Sequence, residues 1–304
     1  MIVKEARHQA SKALATHPIE DASLEAELLV MHILGIDRAK LYARLGEELS
    51  ADDAEALAQL VKRRLSHEPA AYIVGHREFF GHDFHVGPGV LIPRPESELL
   101  VEEALAFFEL SGKFEESETS ATILPTNDKS LTLEKGEKIA EIGTGSGAIA
   151  ISLALRLPKA KIYATDISPQ ALEIARVNCE KHGVQDRVHL LEGDLVEPLP
   201  EPVDIVVANL PYIRDEDWSE LSAEIRMYEP VVALAGGRDG LDKVRQLLGK
   251  VEDKLRTGGL ILLEIGPGQG QAAASLAGNL FPGARVGLAR DLGGRERVLK
   301  VVLT

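Results

Sequence analysis

The chain has 304 residues, of which 45% are hydrophobic and 27% charged, a balance that excludes collagen-like, fibrous and wholly disordered proteins. At about 100–200 residues per domain, this length fits two domains or one large one. Asp and Glu number 48 against 34 Lys and Arg, so the formal net charge is -14. Nucleic acid is therefore a disfavoured partner, because proteins bind phosphate backbones largely by neutralising them with Lys and Arg.

The single cysteine, Cys179, excludes an intramolecular disulfide and a zinc site built from cysteines. The 9 histidines show no H-x-x-x-H spacing, so we expect no metal site. The N-terminus is charged throughout and lacks the apolar segment of a secretion signal. No stretch reaches about 18 uninterrupted apolar residues. We expect a cytoplasmic monomer that binds neither membranes nor nucleic acid directly.

Residues 1–70 show helical signals and no strand signals, which predicts a small helical bundle. Gly35 is suited to end a helix, and Ser50 to cap the start of another that runs through Leu65. The apolar stripe of the earlier helix recurs at intervals of three and four residues, at Leu24, Leu28 and Met31.

Residues 71–95 contain short apolar or aromatic runs in place of the helical signals. This pattern predicts a β-hairpin that links two domains. Its strands are expected in the runs EFFGHDFHV and GVLIP, which Gly87, Pro88 and Gly89 separate. Pro95 then fits the start of a helix. Residues 111–136 are rich in Ser, Thr, Glu and Lys without periodicity, and we interpret them as a mobile insert.

Residues 96–304 are predicted to form an α/β domain, because strands and helices alternate from Glu137 onward. This alternation is typical of a doubly wound, mostly parallel sheet with helices on both faces. Seven strands are expected, in the runs KIAEIG, KIYATD, VHLLEGD, VDIVVANL, LILLEIG, ARVGLA and RVLKVVL.

The ends of the first two predicted strands carry a nucleoside-binding pattern. The first strand ends in the run Glu141-Ile142-Gly143-Thr144-Gly145-Ser146-Gly147, whose glycines allow a sharp turn close to a ligand. The second ends in Asp166, a carboxylate that can accept both hydroxyl protons of a ribose. Because Gly143, Gly145 and Ala148 also satisfy the G-x-G-x-x-G/A pattern, a dinucleotide-dependent dehydrogenase stays open at this point.

The ends of the third and fourth strands add further polar groups. Asp194, followed by Leu195, could accept a hydrogen bond from an exocyclic adenine amine. The fourth strand ends in Asn209-Leu210-Pro211-Tyr212, where an amide oxygen and a backbone carbonyl are two acceptors close together. Pro211 stiffens this bend, and Tyr212 offers a flat surface for stacking. Such a clamp fits a planar amide or amine nitrogen, although a proline turn with a packed tyrosine is the simpler alternative.

Together these motifs resemble the class I S-adenosylmethionine-dependent methyltransferases, and among them the release-factor glutamine N5-methyltransferases called HemK or PrmC. The resemblance extends over most of the chain and is most specific in the combination of two runs, LIPRPE at 91–96 and NLPY at 209–212. Further matching runs are YIVG, EFFG, DIS, GDL, EP and GGRDG.

The resemblance implies a role for each matching residue. Glu141, Gly143, Thr144, Gly145, Ser146 and Gly147 would cradle the methionine part of S-adenosyl-L-methionine, Asp166 its ribose, and Asp194 with Leu195 its adenine. Asn209 would face both cofactor and substrate, and with Pro211 and Tyr212 it would form the catalytic clamp, Leu210 lending its carbonyl. The implied substrate is the glutamine of the Gly-Gly-Gln motif in class I peptide-chain release factors, with S-adenosyl-L-homocysteine as product. The helical bundle would help to hold this large partner.

Two departures from the family pattern stand out. Glu141 replaces the usual Asp, and Leu210 replaces the first proline of an NPPY segment. Other readings also remain: a glutamine methyltransferase acting on a ribosomal protein, an adenine-N6 DNA methyltransferase that flips its base, or an inactive nucleoside-binding scaffold.

Overall fold

A computed structural model describes residues 1–19, 21–112 and 137–304 of the chain. Its contacts divide these residues into two compact units. A helical unit comprises Met1–His76, Val86–Pro88 and Leu221–Glu229, and a sheet unit comprises Arg77–His85, Gly89–Glu220 and Pro230–Thr304. The predicted insert at 111–136 lies outside the described residues, apart from 111 and 112, which end a helix.

The helical unit contains the helices that the N-terminal sequence predicts. They are α1 (Val3–Leu14), α2 (Ala22–Leu34), α3 (Arg38–Ala43), α4 (Ala51–Leu65) and α5 (Ala70–Val74). Gly35 ends α2 in a left-handed conformation, and the Ser50 hydroxyl accepts a hydrogen bond from the amide of Asp53 at the start of α4.

The buried face of α2 differs from the predicted stripe. Leu24 is 46% exposed, whereas Ala26, Leu29 and Val30 pack in the core. Glu27 is also buried on this face, where its carboxylate accepts hydrogen bonds from Arg7, Arg38 and Tyr42. Leu28 and Met31 of the predicted stripe are partly buried and pack against this core, so the stripe was wrong only at Leu24. A buried carboxylate with partners far along the chain leaves no mark in hydrophobic periodicity.

The predicted hairpin is present but shorter than residues 71–95. Its strands are β1 (His76–Phe79) and β2 (His82–His85), both inside the run EFFGHDFHV and its preceding residues. GVLIP forms no strand, so its prediction as the second strand was wrong. The turn that pairs the strands is Phe80-Gly81, with positive φ at both residues, rather than the Gly-Pro-Gly run.

The sheet unit holds the predicted seven-stranded sheet, which confirms the doubly wound α/β fold. Its strands, in spatial order, are β10 (Arg285–Arg290), β11 (Glu296–Val302), β9 (Leu255–Glu264), β6 (Val203–Ala208), β3 (Lys138–Ile142), β4 (Lys161–Asp166) and β5 (Val188–Glu192). Its main helices are α6 (Glu98–Gly112), α7 (Ala148–Arg156), α8 (Pro169–His182), α10 (Asp242–Leu248) and α11 (Gly270–Leu280). The helix expected around 241–255 is therefore shorter, because β9 begins at Leu255.

Two short elements were not predicted. A small parallel sheet pairs β7 (Ile213–Arg214) with β8 (Ala235–Gly237), and α9 (Ala223–Tyr228) belongs to the helical unit. In that unit, the guanidinium of Arg64 bonds to Glu25 and Glu224, and the Tyr228 hydroxyl donates to the Ser66 carbonyl.

The register of the parallel strands brings the candidate residues to one edge. Ile142 of β3 pairs with Thr165 of β4 and with Ala208 of β6. The next residue after each, Gly143, Asp166 and Asn209, therefore emerges at the same level. Chain order reverses between β3 and β6, and ligands of doubly wound sheets bind at such a point.

Candidate active site

The segment 143–147, here called the glycine loop, follows β3 and turns sharply. Two backbone hydrogen bonds hold the start of this turn. The amides of Gly143 and Thr144 both donate to the Thr165 carbonyl at 2.9 Å. Gly143, Gly145 and Gly147 have φ of +74°, +55° and +82°, values that side chains other than glycine rarely adopt. The loop is thus shaped by backbone geometry rather than by side-chain packing.

The glycines of this loop serve two purposes. A Cβ on Gly145 would project into open space beside the cavity, with no atom within 4 Å. A Cβ on Gly147 would lie 3.0 Å from Ile151 and 3.3 Å from Ala175, because α7 and α8 pack closely there. Gly145 therefore keeps the cavity open, whereas Gly147 permits helix packing and does not line the cavity.

Glu141 lies fully buried beneath the glycine loop. Its carboxylate accepts hydrogen bonds from the Thr144 hydroxyl at 2.5 Å and the Ala150 amide at 3.0 Å. Burial raises the pKa of Glu141 to about 8; these two hydrogen bonds oppose the shift and nearby Asp166 adds to it. The longer side chain thus reaches the backbone at the start of α7 while still lining the cavity.

Asp166 stands across the loop at the end of β4. One of its oxygens accepts from the Gly145 amide at 2.8 Å, and the other from the Ser168 amide at 2.9 Å. Burial raises the pKa of this carboxyl, although both amides oppose the shift. Each oxygen retains a further lone pair for a hydroxyl donor. Ile167 beside it, in the matching run DIS, is 54% exposed and also lines the cavity.

The third strand contributes Asp194 and Leu195 to the same cavity. Asp194 is half-buried and forms an ion pair with Lys250 at 3.1 Å. Leu195 has a φ of +51°, and its carbonyl accepts from the buried Thr165 hydroxyl at 2.9 Å. This hydrogen bond connects the ends of two strands and holds Asp194 against the cavity.

The run 209–212, here called the clamp loop, follows β6. Asn209, Leu210 and Pro211 line the cavity, and Tyr212 does not. The amide nitrogen of Asn209 donates to the Ser97 hydroxyl at 2.9 Å. Leu210 is buried, and its side chain would lie 3.6 Å from a Cβ on Gly143, so it packs beneath the glycine loop.

Tyr212 faces a different environment from the one predicted. Burial raises the pKa of Tyr212 to about 12, and the negative charge of Glu264 raises it further. Its backbone carbonyl accepts from the side-chain amide of Gln269 at 3.0 Å. A Cβ on Gly236 or Gly240 would lie only 2.7 Å or 2.3 Å from Tyr212 backbone atoms. Tyr212 therefore secures the clamp loop against the run GGRDG instead of offering a face to the cavity.

Comparisons with known proteins give the family. A family model described as the PrmC N-terminal domain matches residues 5–75, and one described as ribosomal protein L11 methyltransferase (PrmA) matches residues 116–211. The release factor glutamine methyltransferase of Moorella thermoacetica is 42% identical over 298 residues, covering 98% of this chain and 97% of its own. The chain belongs to the release factor glutamine methyltransferase family.

Two further similarities agree with this membership. The release factor glutamine methyltransferase of Geobacter sulfurreducens is 39% identical, covering 86% of this chain and 84% of its own. Among solved structures, the hMettl16 catalytic domain in complex with MAT2A 3'UTR hairpin 6 is 14% identical with a TM-score of 0.51. That alignment covers 83% of this chain and 81% of the other, and it supports the fold.

The matching runs EFFG and LIPRPE also contribute to one wall of the cavity of this methyltransferase. Seven residues of this region line it: Phe79, Gly89, Val90, Leu91, Pro93, Arg94 and Ser97. The sequence predicted 71–95 as a linking hairpin because its apolar runs resemble strands. Asn178 of α8 connects β2 to the glycine loop, since its side chain bonds to both His85 backbone groups and to the Ser146 carbonyl.

The described residues also bear on metal binding, on membrane-spanning helices and on the state of Cys179. Within the described ranges, no group of three or more His, Cys, Asp or Glu side chains could hold a metal ion. No helix in the described part of the chain is long and apolar enough to cross a membrane. Cys179 is a free, buried thiol, and burial raises its pKa to about 12.

Proposed function

We propose that this methyltransferase uses S-adenosyl-L-methionine to methylate the side-chain amide nitrogen of the glutamine in the Gly-Gly-Gln motif of class I release factors. The observation that carries the proposal is that residues of the glycine loop and of the clamp loop line one cavity. A nucleoside-binding edge alone would serve many enzymes, whereas an edge that also presents amide and carbonyl oxygens suits a nitrogen nucleophile.

The described residues fit the cofactor. The open space at Gly145 accommodates a ligand close to the backbone, and the free lone pairs of Asp166 can accept two ribose hydroxyl protons. Glu141 offers a buried carboxyl to the ammonium group of the methionine part. Asp194 and Leu195 would hold the adenine against the exposed side chain of Ile167.

The reaction depends on a bound methyl donor. S-adenosyl-L-methionine would supply a methyl group attached to a sulfonium, and S-adenosyl-L-homocysteine is a good leaving group. The difficulty lies in the nucleophile, because the lone pair of an amide nitrogen is delocalised into its carbonyl. The oxygen atoms of Asn209 and Leu210 accept the two N–H groups of the substrate amide and stabilise positive charge that develops on its nitrogen. Held in line with the methyl group, this nitrogen reacts without a strong base, and its proton leaves to water.

The remaining clamp residues support this geometry. Pro211 lines the cavity and provides an apolar face for the planar substrate amide. Tyr212 holds the loop through its carbonyl bond to Gln269, so we assign it a supporting role in place of stacking. Leu210 keeps the backbone carbonyl that a proline would present, with its side chain buried.

The helical unit and the charge of the chain support a protein substrate. We propose that this unit helps to hold the release factor, and that the net charge of -14 favours a basic face on the partner. The same charge disfavours DNA as substrate. A strong salt dependence of release-factor affinity would support this docking, and its absence would count against it.

The test uses methyl-labelled S-adenosylmethionine with four acceptors: a class I release factor, its Gly-Gly-Gln variant with Ala for Gln, ribosomal protein and DNA. We expect label only in the unaltered release factor. Label in the variant release factor, in ribosomal protein or in DNA alone would contradict the proposal. Equilibrium binding of NAD in a parallel sample separates a dehydrogenase from a methyltransferase.

A further inference from the structure

Behind the clamp loop, three polar side chains form a chain of hydrogen bonds that the proposed reaction does not yet use. The amide nitrogen of Asn209 donates to the Ser97 hydroxyl at 2.9 Å. That hydroxyl donates to a carboxylate oxygen of Glu264 at 2.6 Å. Ser97 and Glu264 are 3% and 2% exposed. They come from the start of the α6 region and the end of β9, so three distant segments meet at this point.

The direction of these bonds is set by chemistry. An ionised carboxylate can only accept, so the Ser97 proton must point toward Glu264. The Ser97 oxygen is then left as an acceptor, and only the nitrogen of the Asn209 amide can donate to it. Because amide nitrogen and oxygen lie on opposite sides, the Asn209 oxygen is turned away from Ser97, toward the cavity.

We propose that Ser97 and Glu264 are positioning residues that fix the Asn209 amide with its oxygen presented to the substrate amide. This inference rests on the proposed function of Asn209. Without Ser97, rotation of the amide by half a turn would place its NH₂ group against the substrate NH₂ group, where two donors meet. Half of the clamp would then repel the group that it must bind.

The cost of burying Glu264 supports a functional reason for it. A buried carboxylate is expensive unless it is paired and hydrogen-bonded. Burial raises the pKa of Glu264 to about 7; Ser97, Arg297 and Tyr212 favour the ionised form, and Glu96 opposes it. An apolar side chain would fill this place at lower cost, but it could not impose a direction on Ser97.

The charge state of Glu264 also controls the direction. Once protonated, Glu264 can donate to the Ser97 oxygen, which frees the serine proton to point toward Asn209. The reversed amide then becomes as favourable as the productive one. The geometry is therefore present while Glu264 is ionised and weakens as the pH falls through its pKa.

The first test compares Ser97→Ala with Ser97→Thr in the full-length enzyme, using release factor as substrate. Ser97→Ala should lower kcat about tenfold or more, because preorganised hydrogen-bonding groups contribute at least this much. Binding of S-adenosylhomocysteine should stay within about twofold, because the cofactor contacts remain in place. Ser97→Thr keeps the hydroxyl and should restore most of kcat. Ser152→Ala is a matched control, because Ser152 is buried and its hydroxyl has no hydrogen-bond partner among the described residues.

The second test measures kcat against pH at saturating cofactor for the wild type and Glu264→Gln. The wild type should lose about half of its kcat as the pH falls through about 7, because the two amide orientations become equally populated, and Glu264→Gln should lack this pH-dependent change. Urea unfolding of each variant separates misfolding from a positioning defect. A wild-type enzyme that methylates release factor together with an unaffected Ser97→Ala variant would overturn this inference alone. So would a Glu264→Gln profile identical to the wild type. An inactive wild type would instead overturn the proposed function.

Discussion

Replacing Glu141 by Gln should uncouple cofactor binding from the release of a proton. The pKa of this buried carboxyl is raised to about 8, so at neutral pH only about one molecule in ten carries its negative charge. The ammonium group of the cofactor favours the ionised form, and binding must therefore expel the proton. Below a pH of about 8, affinity should rise with pH by at most about tenfold per unit, and above it the rise should end.

Isothermal titration calorimetry measures the number of protons released when S-adenosylhomocysteine binds. The titration is run in two buffers of different ionisation enthalpy. The wild type should release nearly one proton per ligand near neutral pH, and Glu141→Gln should release only what the ligand itself loses. Glu173→Gln is a matched control, because this residue pairs with Arg176 on the exposed surface of α8. Equal proton release by the wild type and Glu141→Gln would show that the Glu141 carboxyl is not the source of the proton.

The same pKa shift has a consequence for stability. The folded-state pKa of Glu141 lies above its ordinary value of 4.5, so the carboxyl favours the folded state fully only at pH values below 4.5. This contribution is lost as the pH rises through about 8, and the loss amounts to roughly 5 kcal/mol at most. Urea unfolding should therefore show Glu141→Gln gaining on the wild type as the pH rises, and a constant difference would count against the burial of a protonated carboxyl.

Three other predictions concern packing. Gly240→Ala should lower the free energy of unfolding by more than about 2 kcal/mol in urea, because its Cβ would lie 2.3 Å from a clamp-loop carbonyl at a φ of +75°. Gly46→Ala, with no atom within 4 Å, should change little, and equal losses would contradict the clash. Arg64→Ala should cost about 2–4 kcal/mol by leaving two carboxylates unpaired, against less than about 1 kcal/mol for the exposed Arg44→Ala. Cys179 should react with a thiol reagent only after unfolding, and rapid reaction of the native protein would disprove its burial.

Much of the fold could be predicted because the signals are local. The alternation of strands and helices predicts a mostly parallel sheet, in which β11 alone pairs antiparallel, with both β9 and β10. The ends of β3, β4, β5 and β6 carry their polar residues at positions that the register then aligns. Ser50 caps the start of α4 and Gly35 ends α2, as their residue types predict. Each of these sequence patterns lies within a few residues of the helix or strand end that it predicts.

The remainder depends on contacts between distant segments. Ser97 has no distinguishing mark in its own neighbourhood, and its role emerges only when β9 brings Glu264 within 2.6 Å. GVLIP was mistaken for a strand because it is apolar, but it pairs with no strand, and its residues Val90 and Leu91 line the cavity. Tyr212 was expected to stack because aromatic side chains near a clamp often do. Its backbone is instead held by Gln269, a residue 57 positions away.

In the proposed reaction, the clamp loop presents a glutamine amide to a methyl donor held by the glycine loop. The most direct measurement of this reaction is tandem mass spectrometry of a class I release factor after reaction with S-adenosylmethionine, for the wild type and for Asn209→Ala. With the wild type, we expect one added methyl group on the side chain of the Gly-Gly-Gln glutamine. We expect almost none with Asn209→Ala, at unchanged binding of S-adenosylhomocysteine. A methyl group on another residue, or full transfer by Asn209→Ala, would contradict the proposed reaction.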